Sequence, residues 1–115
     1  MDKQYFAGCL RNILNNIALV EKFIEGKTFD ELKQDDKTAF AMTYTIEMIG
    51  EIIQKIPIAC REQHPTVPWE GFTQLRNDLL HLYFDVDAKT IWNTATEDLR
   101  SLKPAVQSML KDHSC

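Results

Sequence analysis

Long apolar runs are missing from this 115-residue chain, and so is any excess of positive charge. No stretch approaches the roughly 18–20 apolar residues that cross a bilayer, and the charged, amphipathic start does not read as a signal peptide. The 13 Lys and Arg are outnumbered by 17 Asp and Glu, giving a formal net charge of −4. That balance excludes a protein that coats nucleic acid through general charge, because such binding is driven by neutralising phosphates. Any nucleic-acid chemistry has to be local. Cysteine is scarce: Cys9, Cys60 and Cys115 are odd in number and unpaired in spacing, so neither a disulfide framework nor a Cys-rich zinc site is expected. Reduced thiols and a cytoplasmic location follow as expectations. His64, His81 and His113 have no metal-ligand spacing and no HExxH motif occurs, so no metal and no cofactor is expected. Four Gly and four Pro exclude a fibrous or low-complexity chain.

What the chain does have is apolar residues, 44% of the total, in a length that fits one domain over residues 1–115. A chain of this size buries roughly two-thirds of its unfolded surface, enough for a core without disulfide support. Strand signals are few, with no Asn-Gly or Asp-Gly turn and no clean alternation. Helical spacing is abundant. Phe6, Leu10, Ile13, Leu14, Ile17, Val20, Phe23 and Ile24 recur at steps of three and four, which predicts a helix over about 3–25. Gly26 then stands where a left-handed C-cap is wanted. Thr28 and Glu31 form a capping-box pattern with room for one short helical turn before Asp35. Asp36 reads as the N-cap of a second long helix through Ala39, Phe40, Met42, Ile46, Ile49, Ile53 and Ile56, stopped by Pro57. Pro57, Pro65 and Pro68 make 57–68 an irregular stretch, and Pro68 opens a third helix from about Trp69 to Phe84. Asp87 caps a last segment holding Ile91, Trp92, Leu99 and Leu102, with Pro104 expected to kink or restart it before Val106, Met109 and Leu110. Four or five helices with mostly short connections predict an all-α antiparallel bundle.

The third helix carries the chemistry. At about 100° per residue, Phe72, Leu75, Leu79 and Leu82 share one arc, the expected core face. Asn77 and His81 stack one turn apart on the other side, Arg76 and Tyr83 share a flank, and Leu80 and Phe84 lie between them. A cation, an amide, an imidazole and a phenol interleaved with apolar residues make a poor solvated face. They suit a second buried surface, gained most simply by pairing with another copy of the chain. In such a homodimer the Arg, Asn, His and Tyr of both copies converge in one locally positive cleft. These groups fit phosphodiester chemistry: imidazole titrates near neutral pH, guanidinium offers a bidentate donor to phosphate, and the RNA 2′-hydroxyl is a built-in nucleophile that needs no metal. A lone His on a helix is more often structural than catalytic, so the pattern needs context.

Context comes from a resemblance. Pro65-Thr66-Val67-Pro68-Trp69, the run Leu75-Arg76-Asn77-Asp78-Leu79-Leu80-His81-Leu82-Tyr83-Phe84-Asp85-Val86-Asp87, and Ile91-Trp92 together resemble the HepT-like toxins of the HEPN superfamily. Arg76, Asn77, His81 and Tyr83 match that family's motif position for position. Ile46-Glu47-Met48-Ile49-Gly50-Glu51 resembles its second-helix signature, and Phe23-Ile24-Glu25-Gly26 with Phe29 the end of its first helix, so the likeness spans about 5–105. The resemblance implies a homodimeric, metal-independent endoribonuclease acting on tRNA or mRNA, the toxin of a two-gene toxin–antitoxin system. It implies Arg76, Asn77 and His81 as catalytic residues. It also implies a minimal nucleotidyltransferase partner that silences the toxin by adding AMP to Tyr83.

Three positions depart from the family pattern: Ile52 where Ala is usual, Tyr44 where Arg is frequent, and Leu82 where Gly is common. Tyr44 removes a cation that could hold RNA; Leu82 falls on the expected core arc, so no loss of activity is expected from it. Gly50 in mid-helix costs roughly 1 kcal/mol relative to Ala, and close approach of a neighbouring helix is the expected reason. Glu51 is expected to hold Arg76 through an ion pair. Trp69 and Trp92 read as core anchors, and His64 and His113 receive no role. The alternative from another class is a non-catalytic RNA- or nucleotide-binding dimer acting as complex partner of the nucleotidyltransferase.

Overall fold

The apolar stripes become helices that pack on one another. A computed structural model of the chain describes residues 2–81 and 88–112, with the side chains of 79–81 not included. The expected end of the third helix at Phe84 and the Asp87 cap of the last segment, together with His113 and Cys115, lie outside the described residues. Helix α1 (Lys3–Ile24) starts at Asp2, whose carboxylate accepts from the Gln4 and Tyr5 amides, and ends before Gly26 at φ 73°. Short helix α2 (Phe29–Lys33) carries the full capping box, Thr28 and Glu31 each accepting from the other's backbone amide. Helix α3 (Asp36–Ile53) is capped by Asp35, one residue earlier than the sequence suggested, because Asp35 is the carboxylate that reaches the Thr38 amide.

The stretch after Pro57 is less irregular than expected. It holds a short helix, α4 (Ile58–Glu62), from which Arg61 donates to the Ile56 carbonyl left open at the end of α3. Helix α5 (Trp69–His81) then follows Pro68. The last part of the chain is one continuous helical run: α6 (Ala88–Asn93), a π turn over Thr94–Asp98, and α7 (Leu99–Asp112). Pro104 sits inside α7 and does not restart it. The break in regularity comes earlier, at the π turn, where the Leu99 amide reaches back to the Thr94 carbonyl. A wider turn of this kind accommodates one extra residue inside a helix.

These four long helical segments form an all-α antiparallel bundle. Helix α3 lies between α1 and α5, α7 covers α1, and α6 rests on α2 and α3. Ile13 and Ile17 of α1, Ile46 and Ile49 of α3, Phe72 of α5 and Val106 of α7 fill the core, as their spacing required. Trp69 is buried and donates from its indole nitrogen to the His64 carbonyl at 3.0 Å, so His64 serves the fold through its backbone. Trp92 is half-buried and meets Phe29 edge-on at 6.2 Å. Two expectations fail. Phe40, counted with the second helix's apolar residues, is 60% exposed, because its position on α3 points away from both α1 and α5. Cys60 is disulfide-bonded where no disulfide was expected, while Cys9 is a buried free thiol. Among the described residues, no helix is long and apolar enough to cross a membrane.

Asp35 ties the α2–α3 corner together. Its carboxylate accepts from the Thr38 amide at 3.1 Å and hydroxyl at 2.6 Å, and from Lys27 Nζ at 3.3 Å. The Thr38 hydrogen bonds, with a smaller contribution from Lys27, hold its pKa down to about 2 against an ordinary 3.8. The folded state therefore favours the charged form, so this contribution is complete above about pH 4 and is lost as pH falls toward 2. Asp35→Asn should unfold at a lower temperature than the native chain near neutral pH, and the gap should close on acidification toward pH 2. Thermal melts followed by circular dichroism across that range check this; a gap independent of pH contradicts it.

Candidate active site

The site begins with an absence of side chain. A Cβ added to Gly50 would lie 2.8 Å from Arg76 Cβ and 3.0 Å from the Phe72 carbonyl oxygen. Gly50 therefore lets α3 and α5 approach more closely than any other residue would allow, which is the reason its position in mid-helix suggested. The approach brings Glu51, the next residue on α3, against Arg76 on α5. Arg76 Nε donates to Glu51 Oε2 at 2.5 Å, and Arg76 Nη1 donates to Asn77 Oδ1 at 2.9 Å. The expected ion pair is present. The guanidinium is mostly covered, its side chain 21% exposed, whereas the Glu51 side chain is 45% exposed. Such a charge-assisted bond at the edge of a packed seam fixes a long side chain that would otherwise be free to rotate.

A guanidinium has five N–H donors in a planar fork, and these two bonds use two of them. Among the described residues no other group accepts from this guanidinium, and Glu51 and Asn77 hold the fork in place, an arrangement that suits a planar or tetrahedral anion. Of the residues singled out in the sequence, the structure thus brings Arg76, Asn77 and Glu51 together. His81 is the last residue of α5, five positions beyond Arg76, and its side chain is outside the description; Tyr83 lies outside the described residues altogether. Among the described residues no group of three His, Cys, Asp or Glu side chains converges as a metal site would require. A recess of about 370 Å³ between α1 and α7, bordered by Glu21, Arg100 and Lys103, contains none of the motif residues.

The family model described as ribonuclease HepT-like matches residues 13–109, a span that includes Gly50, Glu51 and the whole Arg76-to-Tyr83 motif. The chain belongs to the HepT-like ribonuclease family. A protein named "Probable ribonuclease HepT" from Thermococcus cleftensis is 36% identical over 102 residues, covering 89% of this chain and 93% of the relative. A Methanocaldococcus jannaschii protein with a provisional RNase name is 31% identical over 112 residues, covering 97% and 93%. A similarly named protein of Caldanaerobacter subterraneus is 29% identical over 102 residues, covering 89% and 91%. No solved structure matches the chain.

Within this HepT-like chain the sequence missed one feature of the site's surroundings. Phe40 and Tyr44 stand exposed on α3, on the same side of that helix as Glu51. The placement of Phe40 was hidden because an aromatic residue in a helix with many Ile is read as core by default, whereas Tyr44 drew notice only as a departure from the family pattern.

Gly50→Ala separates helix propensity from packing. Alanine gains roughly 1 kcal/mol of propensity, but its methyl meets the Arg76 stem and a backbone oxygen, and such overpacking costs typically 1–3 kcal/mol. We expect a net loss on the order of 1 kcal/mol, a melting temperature lower by a few degrees, and displacement of Arg76. Gly8→Ala in α1, where a Cβ would meet nothing within 4 Å, should instead be neutral or stabilising. Comparing the two melts checks the packing argument, which fails if Gly50→Ala is the more stable variant.

Proposed function

We propose that the chain is a metal-independent endoribonuclease, active as a homodimer, and the toxin of a toxin–antitoxin pair in the cytoplasm. The observation that carries this reading is Arg76, a covered guanidinium held by Glu51 and joined to Asn77, inside a chain of the HepT-like ribonuclease family. In the reaction, the 2′-oxygen of RNA attacks the adjacent phosphorus and the bond from phosphorus to the 5′-oxygen breaks. The proton of the 2′-hydroxyl passes to a base, and the departing 5′-oxygen receives one from an acid. His81 fills one of these proton-transfer roles, because imidazole is the side chain whose unperturbed pKa lies near neutrality. Arg76 neutralises the charge that grows on the non-bridging oxygens, and Asn77 fixes the guanidinium's plane.

Regulation rests on Tyr83. An AMP added there by a minimal nucleotidyltransferase brings negative charge and bulk close to where an RNA phosphate sits, and both oppose substrate binding. The products are expected to carry a 2′,3′-cyclic phosphate, since the attacking oxygen stays attached to phosphorus.

Purified protein should cleave RNA in the presence of EDTA and leave cyclic phosphate ends. Arg76→Ala and His81→Ala should each lower the rate roughly 10²–10⁴-fold, the range general acid–base and charge-stabilising groups contribute. Full activity in His81→Ala would refute its role. After co-expression with the nucleotidyltransferase, intact mass should rise by whole AMP units in the native chain and stay unchanged in Tyr83→Phe. Partner binding without any RNA cleavage would favour the non-catalytic dimer instead.

A further inference from the structure

The end of α3 joins two seams, because α3 lies between α1 and α5. Toward α5, Glu51 accepts from Arg76. One turn further along the chain, Lys55 reaches α1 instead, its Nζ 5.9 Å from the centroid of the Tyr5 ring. A hydrogen bond with the Tyr5 phenol is the largest cause raising the Lys55 pKa above its ordinary 10.5, and the charge of Tyr5, then of Cys9 and Glu51, adds to it. The ammonium thus faces both Tyr5 and the carboxylate that positions Arg76. Among the described residues Lys55 makes no ion pair, and it is exposed. Tyr5 is 50% exposed, and its place in the first turn of α1 is set by Asp2, whose carboxylate accepts from the Tyr5 amide at 3.3 Å.

Arg76, Glu51, Lys55 and Tyr5 therefore make one row across three helices. Two cations flank one carboxylate, so the row is net positive in a chain whose total charge is −4. It ends on an aromatic ring half open to water. The ammonium sits near the outer limit of a cation–π contact, which holds it beside the ring without committing it there. A free cation alone suits any anion. A cation beside an open ring suits an anion that also carries flat bases, the combination by which single strands of nucleic acid are bound. Successive nucleotides of an extended strand are spaced on the scale of one helical turn, which is the step from Glu51 to Lys55.

We infer that Lys55 and Tyr5 form a subsite for the nucleotide adjoining the one whose phosphate Arg76 holds. Lys55 meets the neighbouring phosphate, and Tyr5 stacks on a base whatever its identity. This rests on the ribonuclease reading and extends that site by one nucleotide.

Binding and turnover on single-stranded RNA test the subsite. Both side chains are at least half exposed at helix ends, so Lys55→Gln and Tyr5→Ala should keep the native circular dichroism. With an oligonucleotide protected from cleavage by 2′-O-methyl groups, Lys55→Gln should weaken binding about fivefold near 0.1 M salt. It should also lower the slope of log affinity against log salt by about 0.7, the share of one phosphate on a single strand. Tyr5→Ala should weaken binding roughly 5- to 150-fold and leave that slope unchanged, while Tyr5→Phe, which keeps the ring, should bind like the native chain. On cleavable RNA both losses should appear in KM, with kcat within about twofold, since neither group touches the reacting phosphate. Lys33→Gln removes a cation 5.5 Å from the Phe29 ring, on the helix that precedes α3, and should change nothing. Native cleavage with KM and salt slope unmoved in both Lys55→Gln and Tyr5→Ala overturns the subsite and leaves the ribonuclease reading standing. A lowered melting temperature with unchanged RNA binding also overturns it, making the pair a clasp between helix ends. A loss confined to kcat overturns it as well, and Tyr5→Phe binding as poorly as Tyr5→Ala overturns the stacking. A native chain that neither binds nor cleaves RNA overturns both readings.

Discussion

The close approach of α3 and α5 at Gly50 is the constraint on which the rest of the site depends. Two helices ordinarily pack 8–10 Å apart, with side chains filling the space between them. Here one helix contributes only a hydrogen where the other presents the stem of Arg76 and the Phe72 carbonyl. The gain is positional. A guanidinium on a long flexible side chain is brought within reach of a carboxylate one residue along the neighbouring helix, and a neighbouring amide fixes its plane. Removing a methyl group from one position thus does as much to build the site as adding the charged groups that flank it.

The electrostatics follow from that geometry. A largely covered Arg with no partner would carry a heavy desolvation penalty, and Glu51 offsets it before any ligand arrives. Because Glu51 itself remains substantially exposed, the pair is not sealed into the core. An incoming anion can therefore add to the arrangement without having to dismantle it. This also resolves the apparent conflict between an acidic chain and an anionic substrate: the field that matters is that of a few fixed donors, not the sum over the surface.

Much of the fold was legible in the sequence. Three- and four-residue spacing gave α1 and the core of α3, Gly26 and the Thr28–Glu31 pair marked the corner after α1, and Gly50 announced a helix contact. The failures have physical reasons. Asp35 and Asp36 are equally good capping residues, and which one caps depends on the local backbone. The helix α4 is a single turn and a half between prolines, too short to show a period. Phe40 looked like core because hydrophobicity does not say which side of a helix its neighbours occupy. At the site, the sequence anticipated Glu51, Arg76 and Asn77 as a group, while the exposure of Tyr44 emerged only once α1, α3 and α5 were placed.

The π turn over Thr94–Asp98 has its own consequence for how this chain can vary. It sits between a half that leans on α2 and α3 and a half that covers α1. A single extra residue turns the downstream stripe by about 100°, so the wide turn acts as a phase adjuster between two docking directions. Excising one residue there would leave a regular helix with Leu102 and Val106 facing as before, whereas the same excision in the flanking α-helical turns would swing them away from the core. Length changes in this helix are thus restricted by angular bookkeeping, even where the backbone itself would accept them.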